Sequence, residues 1–349
     1  MMLAIILTAT VSFLASFFVL PPFIRFLEAS GIVGTDIHKS HKPKIAEMGG
    51  PAIMAGFLSG IFLFIWLNTF LLPKQAGILS ISEIGRMFAG ISTILIIMVI
   101  GMVDDISVLT RVKEGVKGFE KYKRTGLKQW QKPLLTLPAA IPLMAIMAGD
   151  STMSIPLVGT INLGVFYPLL VVPLGVVGAS NAMNMLAGFN GLEAGLSFVT
   201  LLSMGMFGYI NGEMAAAAIA FVMAAAVLAF LAFNWYPAKI MPGDSFVYAT
   251  GATLAVVAIL GNMEKFAVYI FVPWIVELVL KMRSGFNAEN YGLLNPDKTL
   301  RTQYGKSYSL THIAMRYGRF KEWQISGAII GLEIIVCIIA FFASAEVFL

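Results

Sequence analysis

Apolar residues along this chain gather into long runs separated by short polar stretches, and a run of roughly 20 such residues is what a helix needs to cross a hydrocarbon core. Read this way, the pattern predicts ten helices, at 3–27, 50–72, 84–101, 133–148, 160–180, 193–210, 214–235, 246–262, 266–282 and 323–346. The fourth, fifth and ninth are short or carry prolines (Pro138, Pro142, Pro168, Pro173, Pro273), which interrupt the ladder of helical amides. No internal repeat or low-complexity linker divides the chain, so residues 1–349 read as one integral membrane domain. The first run lacks a basic leader and a small-residue cleavage pattern before Pro21-Pro22, and is expected to be a retained span rather than a signal peptide. The expected fold class is all-α: a polytopic integral membrane protein of about ten transmembrane helices with its active-site loops on the cytoplasmic side.

Composition agrees, since with 58% hydrophobic and 12% charged residues the chain has too little polar surface to coat a soluble globule. The single cysteine, Cys337, sits in the last apolar run and excludes an intramolecular disulfide or a cysteine metal cluster. Charge then orients the spans. If both termini face outward, 21 of the 24 Lys and Arg fall on one side, in the loops around Arg25, 28–50, 102–132, Lys239 and 281–322, against Lys74, Arg86 and Lys265 on the other. Cytoplasmic loops carry such an excess. The formal charge of +5 is thereby concentrated where phosphates, nucleotides and anionic headgroups are met.

Four polar clusters fall on that same face: TDIHKSHKPKIAEMGG (35–50), GMVDDIS (101–107), NAMNMLAGFNGLEAG (181–195) and NWYPAKIMPGDSF (234–246). Asp104 and Asp105 close an apolar run, where carboxylates are costly unless paired, hydrated or bound to a cation. Adjacent helical residues point about 100° apart, so the pair can converge on one ligand only if the helix has ended there. Asn181 and Asn184 share a helical face, and Gly188 with Asn190-Gly191 signals a turn. Asn carbonyls are hard oxygen ligands suited to Mg²⁺ or Ca²⁺, and an amide can pair with a nucleobase edge. Asp244 follows a Pro-Gly bend just before the eighth span, the position of a helix cap or of a metal ligand. The three histidines, His38, His41 and His312, show no HExxH spacing, and neither GxSxG nor a Walker motif occurs. Carboxylates, amides and bases beside a membrane are the equipment of Mg²⁺-assisted phosphoryl transfer.

Taken together, GMVDDIS, NAMNMLAGFNGLEAG and NWYPAKIMPGDSFVYATGATLAVVAILGN resemble the polyprenyl-phosphate N-acetylhexosamine-1-phosphate transferase family, and within it the dolichyl-phosphate GlcNAc-1-phosphotransferase branch, the target of tunicamycin. The likeness runs over most of 30–262 and fades in 111–128 and beyond 284. It implies ten membrane helices and transfer of GlcNAc-1-phosphate from UDP-GlcNAc to a polyprenyl (dolichyl-type) phosphate. UMP would leave and a GlcNAc-diphospho-lipid would form, the first lipid-linked step of N-glycan assembly. By the same resemblance Asn184 and Asp244 hold Mg²⁺, Asp104 and Asp105 stand beside it, and Lys132 meets phosphate. Asn190, Asp36 and Ile37 meet the uracil, Glu47 lies at the sugar nucleotide, Asn181 lies in the 177–185 stretch lining the lipid-phosphate groove, and Arg301 touches sugar or diphosphate. Three features depart from the branch: Met241 stands where eukaryotic members have an aromatic residue, the basic loop 111–131 is longer, and the bacterial His-rich motif is missing.

Direct attack of the lipid phosphate on the β-phosphorus is the expected route, with a covalent Asp104 or Asp105 as the competing one. The expected partners are UDP-GlcNAc, a polyprenyl or dolichyl phosphate, the membrane and a second copy of the chain as a homodimer, with no nucleic acid. The setting is a cell membrane or one of endoplasmic-reticulum type, with the site facing the cytoplasm. The alternatives are the same chemistry with another UDP-N-acetylhexosamine for cell-surface polymer synthesis, and a cation-coupled transporter, for which Glu277 inside the ninth span is the one suggestive residue. An i, i+4 pair of Glu277 with Lys281 at the interface is its expected role.

Overall fold

The computed structural model describes residues 2–71, 79–107, 112–114, 121–123, 131–155 and 159–345. The protein is almost entirely helical, in the order α1 (Met2–Ala29), α2 (Gly50–Phe70), α3 (Ile81–Ser107), α4 (Gln131–Thr136), α5 (Ile141–Ala145), α6 (Val172–Met183), α7 (Leu192–Ile210), α8 (Met214–Asn234), α9 (Gly243–Leu260), α10 (Glu264–Ile270), α11 (Val272–Met282), α12 (Leu310–Tyr317) and α13 (Glu322–Ala345). Among the described residues seven helices, α1, α2, α3, α7, α8, α9 and α13, are long and apolar enough to cross a membrane. The other three expected stretches are broken into shorter pieces, so seven such helices stand among the described residues where ten were expected. Residues 131–145 form α4, a 3₁₀ turn at Leu137–Ala140 and α5, each break coinciding with a proline that withholds its amide. The expected span at 160–180 begins instead as the second strand of an antiparallel hairpin, Thr152–Ile155 with Gly159–Asn162, and turns helical only at Tyr167. Phe271, just before Pro273, separates α10 from α11.

In lipid the hydrophobic effect does not bring helices together; close packing through small residues does. Along α1 and α2 a Cβ added at Gly56 would lie 2.0 Å from the Ser16 hydroxyl oxygen, and Ser16 Oγ donates to the Ala52 carbonyl at 3.2 Å. Ser12 Oγ donates across to the Val222 carbonyl of α8 at 2.8 Å. At the centre stands α9, buried at every residue from Ser245 to Leu260 and packed against α3 and α6. Bulky residues of α1 and α13, among them Leu3, Phe18, Ile339 and Phe342, face outward, as lipid-covered surfaces do.

Polar connections gather at one end. Strand Lys44–Glu47 pairs antiparallel with Val33–Thr35 and parallel with Ile240–Met241, so the segment before α2 and the segment before α9 share one small sheet, with Glu47 opposite Met241. The basic loop 111–131 lies outside the described residues apart from Gln131 at the start of α4 and a short hairpin, Val112–Glu114 with Lys121–Lys123. Glu277 makes no ion pair with Lys281, contrary to the sequence expectation. Its carboxylate accepts from Ser309 Oγ at 3.1 Å and Leu310 N at 2.8 Å, capping α12, while Lys281 Nζ donates to the Ala288 carbonyl at 2.8 Å.

Candidate active site

The helix carrying Asp104 and Asp105 does not end before them: α3 continues to Ser107, so the two carboxylates leave it in different directions. Asp104 is 1% exposed and lies 2.7 Å from Lys132 Nζ. Asp105 reaches the start of α9, where its two oxygens accept from Asp244 N at 2.6 Å and Ser245 N at 3.0 Å. The N-cap residue of α9 is Pro242, which supplies no side-chain acceptor, so a neighbouring helix caps it. Gly243 permits this with φ +70°, and a Cβ there would sit 2.7 Å from the Asp105 carboxylate. Gly101 allows α3 to approach closely, since its Cβ would lie 2.6 Å from Ser245 Cα.

Asp244 is thereby fixed in the first turn of α9, where its carboxylate meets two partners. Lys132 Nζ lies 3.0 Å from Oδ2, and Asn184 Nδ2 donates to Oδ1 at 2.6 Å. One ammonium thus bridges Asp104 and Asp244. Burial of Lys132 works against its charge, but Asp244 and Asp104 more than restore it, and its pKa lies above that of an ordinary lysine. Asn184 is where α6 ends; the chain then turns through Gly188 (φ +104°) and Gly191 (φ +78°) into α7. Glu193 in the first turn of α7 accepts from Gly188 N at 2.8 Å through Oε1, while its buried Oε2 has no hydrogen-bond partner among the described residues.

Further along, Asn190 is held from several directions. Its Oδ1 accepts from Ala238 N at 2.9 Å and Lys39 Nζ at 3.2 Å, and Lys39 also pairs with Asp36 at 3.1 Å and Glu322 at 2.5 Å. Asn234, the last residue of α8, accepts from Gly191 N at 3.1 Å and donates to the Ile240 carbonyl at 2.8 Å, tying the turn to the small sheet.

These groups surround one cavity of about 480 Å³. Asp36, Ile37, Glu47, Asp104, Asp105, Lys132, Asn184, Asn190 and Asp244 all line it, although they come from five separate stretches of chain. Two expected site residues, Asn181 of the lipid-groove stretch and Arg301, do not line this cavity. Asn181 turns its amide to the Val177 carbonyl at 2.8 Å and to Thr136 Oγ1 at 3.5 Å, because a side chain three residues before the helix end can still bond its own backbone. Arg301 lines a separate cleft of about 710 Å³ with Arg316 and Arg319, since the hairpin Leu293–Leu294 with Leu300–Arg301 carries it away from the carboxylates. Sequence reasoning passed over Glu193, Asn234 and Tyr291, which line the cavity, and Glu322 and His38, buried behind it. Glu193 and Asn234 stood within quoted motifs; only their burial marks them out.

Among the described residues no three His, Cys, Asp or Glu side chains form a ready cage for a metal. The oxygen donors present, the Asp104 and Asp244 carboxylates and the Asn184 carbonyl, nevertheless suit Mg²⁺, which takes one or two protein carboxylates and completes its shell with water and substrate phosphate. Membrane helices that bring carboxylates, an amide and a lysine to one cavity have the parts of a phosphoryl-transfer enzyme. The chain belongs to glycosyl transferase family 4, whose model matches residues 87–262. It is 34% identical over 340 residues, 97% of this chain and 96% of the relative, to a Saccharolobus solfataricus protein provisionally named UDP-N-acetylglucosamine–dolichyl-phosphate N-acetylglucosaminephosphotransferase. A Sulfolobus acidocaldarius protein with the same provisional name is 30% identical over 97% of this chain and 96% of its own. A phospho-N-acetylmuramoyl-pentapeptide-transferase of Streptococcus thermophilus is 30% identical over 78% of this chain and 76% of its own.

Proposed function

We propose that this protein transfers GlcNAc-1-phosphate from UDP-GlcNAc to a polyprenyl phosphate of dolichyl type, opening lipid-linked assembly of an N-glycan. The observation that carries this reading is the Asp104–Lys132–Asp244 arrangement with Asn184 against Asp244, at the edge of a cavity whose remaining wall brings together the amides of Asn190 and Asn234 and the carboxylates of Asp36, Glu47, Asp105 and Glu193. The archaeal relatives' names supply the donor and acceptor.

In the reaction an oxygen of the lipid phosphate attacks the β-phosphorus of UDP-GlcNAc. The bond from that phosphorus to the bridging oxygen breaks, and UMP departs with the electron pair. The acceptor is already anionic, so the barrier is mutual repulsion more than deprotonation. Lys132, held protonated by its two carboxylates, is the protein's own cation against that charge. Mg²⁺, held by Asn184 and Asp244 beside Asp104, would neutralise the diphosphate when bound. Asp105 spends both oxygens on the amides of α9 and Asp104 is paired with Lys132, which favours direct attack over a covalent aspartyl intermediate. The excess of Lys and Arg on one face supports a cytoplasmic site.

The assay is UMP release by the purified protein in lipid nanodiscs, given UDP-GlcNAc, polyprenyl phosphate and Mg²⁺. Release that requires all three and is blocked by tunicamycin is expected; no release would end the reading. Labelled UMP exchanging into UDP-GlcNAc without lipid would overturn direct attack. The streptococcal relative favours one second reading, the same chemistry with a different UDP-N-acetylhexosamine. Faster turnover of UDP-N-acetylmuramoyl-pentapeptide than of UDP-GlcNAc would establish it.

A further inference from the structure

Behind the Asn190 side of the cavity lies a buried cluster of charges outside the phosphate-handling group. Glu322, the first residue of α13, is 2% exposed. Its Oε2 is 2.5 Å from Lys39 Nζ, and its Oε1 accepts from the backbone N of Asn190 at 2.9 Å. His38 joins it: Gly292 N donates to His38 Nε2 at 3.2 Å, so that nitrogen is the acceptor of a neutral ring and Nδ1 carries the hydrogen facing Glu322 Oε1 at 3.4 Å. One turn along α13, Ser326 Oγ donates to the Asn190 carbonyl at 2.9 Å. The helix thus grips Asn190 by both its backbone groups.

The consequence falls on the Asn190 side chain. Its two contacts, Lys39 Nζ and Ala238 N, come from groups that only donate, so the atom receiving them is the amide oxygen and the orientation is not arbitrary. Lys39 is pinned in turn by Glu322, by Asp36 at 3.1 Å and by the face of Tyr236 at 4.0 Å. Asn190 Nδ2 makes no hydrogen bond among the described residues, and the residue lines the cavity. What this wall offers a ligand is a donor whose oxygen is already committed.

We propose that Glu322 is a positioning residue which, through Lys39, locks the Asn190 carboxamide with its NH₂ toward the cavity, so that the site takes a base bearing a carbonyl at that edge and refuses one bearing an amine. The assignment rests on the nucleotide-sugar reading above and deepens it. Uracil fits such a donor; cytosine brings an exocyclic amine against it and leaves two donors facing each other. Glu322→Gln removes one carboxylate oxygen and the negative charge that holds Lys39. Lys39→Met removes the cation, and Lys39→Arg retains it.

The test measures kcat and KM with UDP-GlcNAc and CDP-GlcNAc in nanodiscs, and thermal protection of the full chain by UMP against CMP. Glu322→Gln and Lys39→Met are expected to raise the donor KM by about tenfold and to shrink the UDP-over-CDP preference in kcat/KM by about tenfold, the scale of losing one directed polar contact. The KM for polyprenyl phosphate should stay put, and Lys39→Arg should keep the preference. A variant that loses kcat while retaining the base preference overturns the proposal, as does unchanged preference in both. Should Glu322→Gln fail to fold, the Met and Arg variants at Lys39 decide alone. Wild-type protein that turns over no UDP-sugar sinks the nucleotide-sugar reading, while stronger protection by UMP than by CMP, lost in Lys39→Met, would still uphold the locked amide.

Discussion

Asp104 and Asp105 are identical and adjacent, yet one pairs with the lysine of the cavity and the other ties down a helix. Replacement should separate the two duties. Asp105→Ala leaves two amides of α9 without their acceptor and should lower stability by about 1–3 kcal/mol, read as a drop in the thermal midpoint in detergent. Lys132→Met should cut kcat by about 100- to 1,000-fold, the usual cost of removing one charge-stabilising group, and should lower the midpoint as well, since it leaves buried Asp104 without its cation. Asp244→Ala and Asn184→Ala should abolish Mg²⁺-dependent turnover; full activity in either removes that residue from the catalytic arrangement. The sequence marked Asp104, Asp105, Asn184 and Asp244 through residue type, since carboxylates and amides beside long apolar runs must find partners, while Lys132 came only from the family resemblance. It could not tell Asp104 from Asp105, because their directions depend on α3 continuing to Ser107. Arg301 stands apart from the cavity because of the hairpin that carries it, which is not visible as a motif.

Among elements, the crossing of α3 on α9 governs the site. A Cβ on Gly101 would meet backbone at Ser245, which cannot rotate away as a side chain would, so Gly101→Val should cost about 1–3 kcal/mol and pull Asp104 away from Lys132. Lower midpoint together with lost turnover is the expected pair of results. The segment around α12 has its own sensitivity. His312 accepts from Tyr308 N through Nδ1, and burial holds its pKa below the ordinary value of 6.5. The folded ring binds protons less readily than the unfolded one, so stability from this contact is complete above 6.5 and declines as pH falls from there toward the lower folded value. Limited proteolysis of this segment should accelerate below that pH, and His312→Asn should flatten the dependence. Apolar runs revealed the long helices, and prolines foretold the broken ones. The starts and ends that matter, Ser107 and Gly243, lay beyond the apolar runs, because Asp104, Asp105 and Asp244 are kept in helix by one another's contacts rather than by hydropathy.

For the whole molecule, the strongest sequence signal was the unequal distribution of Lys and Arg, and it makes a topological prediction. Cys337 is the sole cysteine and is 3% exposed, so cysteines introduced elsewhere can be labelled against a quiet background. Cysteines at Lys42 and Lys306 should react with an impermeant maleimide from the side that admits the nucleotide, and one at Lys265 only from the other. Reaction of all three from one side would refute the arrangement.

The burial of α9 bears on how two such unlike molecules find each other. Asp244 rides on the first turn of a helix enclosed along the rest of its length, so it is as stationary as the interior itself. A solute arriving from water and another gliding within the bilayer converge on an immovable landmark. Lengthening or stiffening the acceptor's hydrocarbon tail should therefore change the frequency of encounter while leaving the chemistry at the meeting point as it was.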